Sequence, residues 1–291
     1  MRVERCETAD AFLDATLAYR ASDPFRTNVM STVATSVIDD PRRYEECFWW
    51  LVRDAAGTVS GAAFRTPPHM LVLGPMTPLG AEALAVHAAD ASPALPGLIG
   101  PPQLVGAFVE SFASKVGHGA PTFVPTRRDV LYTADRVIMP SVPGEDAVAT
   151  EADLALAETW VGDFTEEIDG ARREPDAASR AALLGVLRAG RLRWWRDRGE
   201  IVSMAGHNLT IATPGTNVTR VGPVFTPTQR RRHGYAAGVT AAVTAGLLGA
   251  GSTVMLFADE ANATSNSVYR SLGYQAIDVF EVASASETNA T

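Results

Sequence analysis

The sequence predicts a mixed α/β fold of the α+β type, made of two similar units that each hold a mainly antiparallel, twisted mixed sheet flanked by helices. Two observations support this prediction. Positions 46–53 are rich in strand-forming residues, and positions 192–197 contain two adjacent tryptophans. Each run leads through a turn into a second run, which is typical of a β-hairpin. In each half a later strand then leads through a short turn into an alanine-rich helix. A chain of 291 residues is long enough for one large or two modest domains.

The first unit is predicted to span residues 1–140. Its predicted elements are, in order, helices over 8–19 and 28–38, a hairpin over 46–65, a strand over 69–76, a helix over 81–91, a short strand at 97–100, a helix over 103–116 and a strand over 129–138. The second half of the chain follows the same order.

A linker separates the two units. Pro140, Pro143 and Gly144 lie so close together that they disfavour regular structure. The second unit is therefore predicted over 145–283. The polar residues 284–291 are predicted to form a flexible tail.

The second unit opens with predicted helices over 151–168 and 175–188. A three-stranded meander follows and ends at Thr226. Because the two halves share one element order, we interpret residues 1–140 as a degenerate repeat of the second unit. An unrelated α/β domain in the first half is the alternative.

A basic turn follows the meander. Arg230 to Arg232, His233 and Gly234 connect the last strand to a helix of small residues that begins near Tyr235. A strand that feeds a helix through a glycine brings unpaired backbone N–H groups and the positive end of the helix dipole to one point, which favours an anion. A surface turn with solvated charges is the alternative interpretation.

Two linked motifs make the resemblance to a known family specific. Arg231-x-x-Gly234-x-Ala236 resembles the acyl-CoA-binding signature of the GNAT N-acyltransferase superfamily. Asn262 and the segment that follows it, which contains Tyr269 and ends in Gly-Tyr, are similar to the next conserved segment of that superfamily. The first half has neither motif. The resemblance therefore implies a tandem GNAT arrangement with a degenerate amino-terminal half and one active site.

The resemblance also implies how acetyl-CoA binds as co-substrate. In GNAT proteins the strand before the signature is bulged and separates from its parallel neighbour, and pantetheine lies in the gap. Asn262 is implied to bind the pantetheine amide, although it also fits the N-cap of the helix that follows. The remaining residues implied to bind the cofactor are the backbone groups of Val224, Phe225 and Thr226 and the signature turn, Arg231, Arg232, His233, Gly234, Tyr235 and Ala236.

Tyr269 and His207 are the candidate catalytic residues. Tyr269 occupies the position of the superfamily's tyrosine, which is implied to protonate the departing thiolate; a helix aromatic packed against the sheet is the alternative. His207 lies on the middle strand of the meander and titrates in the range suited to a general base, although a structural histidine fits equally. Asp259 and Glu260, after the next strand, remain alternative bases.

Glu166 and Glu167, near the end of the first helix of the second unit, are candidate substrate-binding residues. Paired acids at such a position also fit a solvated helix face. The expected acceptor is the amine of a small molecule or a peptide, and its identity stays open.

The sequence therefore predicts an acyl-CoA-dependent N-acyltransferase that uses acetyl-CoA and no metal. A non-catalytic CoA-binding, sensing or scaffold protein and a GNAT-fold aminoacyl transferase are the alternatives. The net charge of −8 argues against a nucleic-acid partner, and the absence of a long apolar run predicts no membrane contact and a cytoplasmic location. Cys6 and Cys47 are expected to be free thiols, and a homodimer is left open.

Overall fold

A computed structural model describes residues 1–91, 94–170, 172 and 175–286 of the chain. A similar order of elements occurs twice, although three helices precede the first hairpin in the first copy and two precede it in the second. The first copy contains β1 (Arg2–Cys6), α1 (Ala9–Ala15), α2 (Leu17–Ser22), α3 (Asn28–Asp39), β2 (Phe48–Arg53), β3 (Val59–Arg65), β4 (Leu71–Leu73), α4 (Pro78–Ala91), β5 (Gly97–Gly100), α5 (Pro102–Val116) and β6 (Thr122–Ala134). The second contains β7 (Glu145–Val148), α6 (Leu154–Asp169), α7 (Ala177–Arg188), β8 (Leu192–Asp197), β9 (Glu200–His207), β10 (Ile211–Thr213), β11 (Thr216–Phe225), α8 (Tyr235–Gly249), β12 (Ser252–Asp259), α9 (Ala263–Ser271) and β13 (Gln275–Ser286). The predicted mixed α/β fold is confirmed.

The two copies exchange their last strands within one 13-stranded sheet. The strand order is β1-β2-β3-β4-β5-β13-β6-β12-β11-β9-β8-β7, with β10 paired to β11. Thus β13 lies between β5 and β6, and β6 lies between β13 and β12. The sheet is antiparallel except at β4–β5 and β11–β12. The sequence predicted a separate sheet for each unit, whereas the exchange covers what would be two open sheet edges and joins the units into one sheet.

Helices cover both faces of the sheet, and the central hairpin strands are therefore buried on both sides. On β2, Trp50 packs in the cluster under α4 and α5, while Trp49 packs in the cluster under α1 and α3. On β8, Trp195 packs toward α8 and Trp194 packs toward α6 and α7. This explains why β2 is an unbroken apolar run from Phe48 to Val52, because a strand covered on both faces has no polar side.

Some element boundaries differ from the predictions. The helix predicted over 8–19 is broken at Thr16, whose hydroxyl donates to the carbonyl of Phe12 at 2.6 Å. The strand predicted over 69–76 is only β4, because the chain turns at Gly74. A side chain at Gly74 would lie 2.5 Å from the hydroxyl of Tyr19, so the strand ends where the chain packs against α2.

The carboxyl terminus also differs from its prediction. β13 extends to Ser286, so the first three residues of the expected flexible tail pair with β6, and residues 287–291 lie outside the described part of the chain. Cys6 and Cys47 are free, as predicted. Among the described residues, no helix combines the length and apolar character needed to cross a membrane.

Helix α8 approaches the sheet closely because Gly238 faces Trp195. A Cβ atom at Gly238 would lie 2.8 Å from the indole ring, whereas Gly246, on the exposed side of the same helix, has nothing within 4 Å. We expect Gly238→Ala to lower the free energy of unfolding by about 1–3 kcal/mol through overpacking. Gly246→Ala is the matched control and should raise it by about 0.5–1 kcal/mol, because alanine is the better helix former. Urea denaturation measures both, and an equal effect at the two positions would contradict the close approach.

Candidate active site

A gap opens between the two parallel strands of the second half. β11 pairs with β12 from Asn217 to Arg220 and no further. Beyond Arg220, β11 pairs with β9 instead, and its register shifts between Val221 and Val224, where Pro223 cannot donate a ladder hydrogen bond. β12 continues beside β6 to Asp259. The carboxyl-terminal parts of the two strands therefore separate, at the end of a parallel pair where ligands bind in such sheets.

The basic turn lies at the mouth of this gap. Gly234 has φ of 81° and is the N-cap of α8, and Arg232 also has a positive φ. No acceptor within the described residues takes the backbone N–H groups of residues 232–237. A Cβ atom at Gly234 would lie 3.0 Å from the side chain of Val142. The turn thus presents unpaired donors at a helix N-terminus, and both its backbone angle and its space require glycine.

Arg231 joins two residues that the sequence assigned to different roles. Its Nε donates to the carbonyl of Thr226 at 2.9 Å, and its Nη2 donates to the carboxylate of Glu167. The signature arginine therefore ties the end of β11 to the end of α6. Both side chains are exposed, so each remains accessible to a ligand.

The backbone of the three residues predicted to contact pantetheine is partly engaged. Ser203 donates from its hydroxyl to the carbonyl of Phe225 at 3.0 Å, and the carbonyl of Thr226 receives Arg231. Val224 pairs with Ala205, and Phe225 pairs with Met204. The pantetheine contacts of these three residues stay a prediction.

The other residues of the turn differ in their surroundings. Arg232 and His233 are exposed, and the His233 ring stacks on Tyr235 with centroids 5.3 Å apart. Tyr235 is buried and donates from its hydroxyl to Asp197 at 2.6 Å. Ala236 lies in the first turn of α8, where its N–H is one of the unpaired donors.

Tyr269 is buried in α9 among other tyrosines. Its ring lies 6.2 Å from that of Tyr132 and 5.9 Å from that of Tyr274. Burial raises the pKa of Tyr269 to about 12, so the phenol is protonated at neutral pH. The ring packs in the core, as the structural interpretation of the sequence predicted, and the role of the hydroxyl as a proton donor stays a prediction.

Asn262 caps α9, as one interpretation of the sequence predicted. Its side chain accepts the N–H of Ser265 at 3.0 Å. The amide nitrogen of the same side chain is left available, since only the oxygen is needed for the cap. Its predicted contact with pantetheine is therefore compatible with the cap.

The sequence did not indicate a role for Asn266 or Tyr132. The buried Asn266 accepts the Tyr132 hydroxyl at 2.8 Å and donates to the carbonyl groups of Asp259 at 2.7 Å and Asn262 at 2.8 Å. This one side chain joins α9, β6 and the end of β12. The sign of this role in the sequence is that Asn266 follows Asn262 by four residues, a spacing that brings both side chains to the same side of a helix.

His207 lies at the start of the gap, where it pairs with Val221. Its Nδ1 is 3.0 Å from the carbonyl of Asn208. Burial lowers the pKa of His207, the contact with Asn208 opposes this, and the charges of Arg191 and Arg193 lower it further. The imidazole is therefore neutral at neutral pH and can accept a proton.

Glu166 and Glu167 are exposed at the carboxyl end of α6. They line a pocket of about 480 Å³ together with Asp163, Phe225 and the segment 227–229. Glu166 lies 3.8 Å from Arg172. The two acids thus border the same strand end as the basic turn.

Asp129 is a further acid that the sequence did not indicate. It pairs in register with Asp259 across β6 and β12, and its Oδ2 accepts from Arg127 at 3.1 Å. Burial raises the pKa of Asp129, the ion pair with Arg127 lowers it, and the neighbouring Asp259 raises it. The side chain of Asp129 therefore lies on the same face of the sheet as that of Asp259.

One family model matches part of the second half of the chain. Residues 201–282 match the family model described as FR47-like protein. The matched segment contains the gap, the basic turn and α9. No significant match to a curated protein was found.

Solved structures with the same fold cover nearly the whole chain. An acetyltransferase of the GNAT family from Colwellia psychrerythraea is 11% identical, with 98% of this chain and 100% of that chain covered and a TM-score of 0.59. A GCN5-related N-acetyltransferase from Sphaerobacter thermophilus is 16% identical, with 97% and 94% covered and a TM-score of 0.58. A tandem GNAT protein from the clavulanic acid biosynthesis pathway is 15% identical, with 98% of each chain covered and a TM-score of 0.56. The predicted GNAT fold and its tandem arrangement are confirmed.

The two asparagines of the α9 region give a test of how the site is supported. Asn266→Ala leaves the buried hydroxyl of Tyr132 without its partner and removes one of the two hydrogen bonds that the carbonyl groups of Asp259 and Asn262 each accept. We expect it to lower the free energy of unfolding by about 2–3 kcal/mol. Asn262→Ala removes only an exposed helix cap and should cost about 1 kcal/mol. Denaturant unfolding measures both. A cost at Asn262 as large as that at Asn266 would show that the buried amide is not the main support.

Proposed function

We propose that this protein is an acyl-CoA-dependent N-acyltransferase that transfers the acetyl group of acetyl-CoA to a primary amine in the cytoplasm. The observation that supports this most directly is the gap between β11 and β12, which opens beside a glycine turn with unpaired N–H groups. The match of residues 201–282 to the FR47-like family model covers the same features. The GNAT structures with this fold include proteins named as acetyltransferases.

The residues present suit acyl-CoA. Donors at the N-terminus of α8 would hold the pyrophosphate, because helix N-termini favour anions and Gly234 lets the backbone approach. The exposed Arg232 adds a charged donor at that point. The separated edges of β11 and β12 leave backbone groups beside which the pantetheine chain would lie, and the amide nitrogen of Asn262 would contact it.

Bound acetyl-CoA would supply a thioester whose carbonyl carbon is open to attack by an amine. The chain must then remove a proton from the acceptor, since a free alkyl ammonium has a pKa near 10. We assign this step to the neutral His207, with Asp259 and Glu260 as the alternatives. Tyr269 would donate its hydroxyl proton toward the departing sulfur, and Glu166 and Glu167 would attract the incoming ammonium group.

Acetyl-CoA binding tests the first part of the proposal. A ligand that binds only the folded state at 100 times its Kd stabilises it by about 2.7 kcal/mol, so acetyl-CoA should raise the Tm. Gly234→Ala should weaken binding about tenfold, which corresponds to about 1.4 kcal/mol. Gly215→Ala is the matched control, because Gly215 also has a positive φ but lies in the turn between β10 and β11. No shift in the wild-type protein, or equal shifts in the two variants, would count against the assigned site.

Turnover tests the second part. We expect Tyr269→Phe to lower kcat about a hundredfold while leaving the KM for acetyl-CoA nearly unchanged, because the lost proton acts only in the chemical step. Tyr274→Phe is the control: its hydroxyl lies 2.6 Å from that of Thr244 in the core, so its loss should reduce stability and spare turnover. Thiol release across a panel of amines measures both. Binding of CoA with no turnover for any amine would favour a non-catalytic CoA-binding protein, and binding of a charged tRNA in its place would favour an aminoacyl transferase.

A further inference from the structure

Arg220 lies at the point where the gap begins. It forms the last parallel pair of β11 with β12, opposite Met255, and the strands separate immediately after it. Its neighbour Val221 packs on the face covered by α8. Because successive side chains of a strand point to opposite faces, Arg220 lies on the other face.

That other face is enclosed partly by the first half of the chain. Val218 and Met255 lie there in a buried cluster, and Phe25, from the turn between α2 and α3, packs against them. Both α2 and α3 also contact β10. Phe225, which lines the acidic pocket at the end of α6, is on the same face as Arg220, since it packs with Met204 and Trp194 toward α6 and α7.

The guanidinium of Arg220 has no acidic partner among the described residues. With its amide oxygen turned toward Arg220, Asn208 accepts from Nε at 2.7 Å and also contacts Nη2. Burial alone accounts for a pKa lowered to about 10, so the group stays charged at neutral pH. Asn208 is neutral and takes one edge of a group with five N–H donors, so this half-buried positive charge has no anionic partner among the described residues.

We infer that Arg220 binds a carboxylate of the acceptor, so that the acceptor is an amine that also carries a carboxylate a few atoms from its nitrogen. This inference rests on the proposed function with the alternative base, Asp259, because it places the acceptor on the face of the gap opposite α8. His207 pairs with Val221 on the α8 face, whereas Asp259 alternates in step with Met255 on the face of Arg220. Arg220 and Phe225 are five residues apart on β11, which limits their separation to about 16 Å. The reacting amine must lie between the guanidinium and the acidic residues of α6, which suits a short zwitterion with its carboxylate toward Arg220.

A carboxylate fits this position better than a phosphate. One guanidinium neutralises one negative charge and matches the planar carboxylate with two parallel hydrogen bonds. A phosphate dianion would need further cationic donors at the same point. Among the described residues, the side chain that contacts the Arg220 guanidinium is the neutral Asn208, and no second cationic group is hydrogen-bonded there.

Matched acceptors test the inference without any substitution. Thiol release from acetyl-CoA is measured with glycine, β-alanine and γ-aminobutyrate, each against its own carboxamide. At least one carboxylate should exceed its carboxamide in kcat/KM by tenfold or more, as expected for a hydrogen bond between charged groups. Equal use of carboxylates and carboxamides, or a preference for phosphoethanolamine over every carboxylate, would overturn the assignment.

Substitution of Arg220 tests whether this residue causes the preference for carboxylates over carboxamides. Arg220→Met should lower kcat/KM for the carboxylate about 10- to 100-fold and leave that for the carboxamide little changed. Arg220→Lys keeps the charge, and its kcat/KM for the carboxylate should lie between those of the wild-type protein and Arg220→Met. This variant preserves the test if the Met variant does not fold. Arg188→Met, which removes an exposed arginine paired with Glu151, is the control and should behave as wild type. An equal loss for carboxylate and carboxamide would assign Arg220 a structural role.

Failure of the proposed function would give results that differ from failure of the carboxylate site. If acetyl-CoA binds but no amine releases thiol, the same carboxylates are tested for a rise in Tm in the presence of CoA. A rise in the wild-type protein that is absent in Arg220→Met supports the carboxylate site even without transfer. No rise in the wild-type protein in that case overturns it.

Discussion

The site depends on one change of partner in the sheet: β11 leaves β12 after Arg220 and continues beside β9. Backbone N–H and C=O groups in a sheet interior need partners, so two neighbouring strands that separate must be held apart by other contacts. Here β9 pairs with the departing strand, β6 holds β12 in place, and Arg231 ties the end of β11 to α6. The gap, the position of the glycine turn and the position of Arg220 at the start of the gap all follow from this change.

Support for the gap comes from both halves of the chain. β6 belongs to the first half by sequence but lies between β12 and β13 of the second. It carries Tyr132, which bonds Asn266 and packs beside Tyr269, and Asp129, which pairs with Asp259. The first half also supplies Phe25 on the face that carries Arg220. The first half therefore supplies side chains that surround the candidate site in the second half.

Local features of the fold could be predicted from the sequence, and contacts between distant segments could not. The glycine at 234 and the cap at Asn262 depend on a few neighbouring residues, so spacing and residue type were enough. The tie between Arg231 and Glu167 joins residues 64 positions apart, and two exposed charges in a sequence do not indicate which partner they have. Strand exchange was equally hidden, because β6 and β13 have the same pattern whichever sheet edge they pair with. Arg220 appears as an ordinary charged residue in a strand, and only the sheet shows that it lies where two strands part.

The exchange of last strands sets the order in which this molecule can be completed as it is synthesised. β5 acquires its outer neighbour only from β13, the last strand of the second copy. When the first half leaves the ribosome, its sheet therefore has an open edge at β5, and β6 has no neighbour until β12 and β13 follow. Domains usually fold as units, amino-terminal first, during synthesis, whereas here the sheet of the first half is completed only when β13 has been made. An unpaired sheet edge can pair with other chains. The nascent chain therefore exposes an edge that a chaperone could cover, whereas two domains with separate sheets would each complete their own sheet during synthesis.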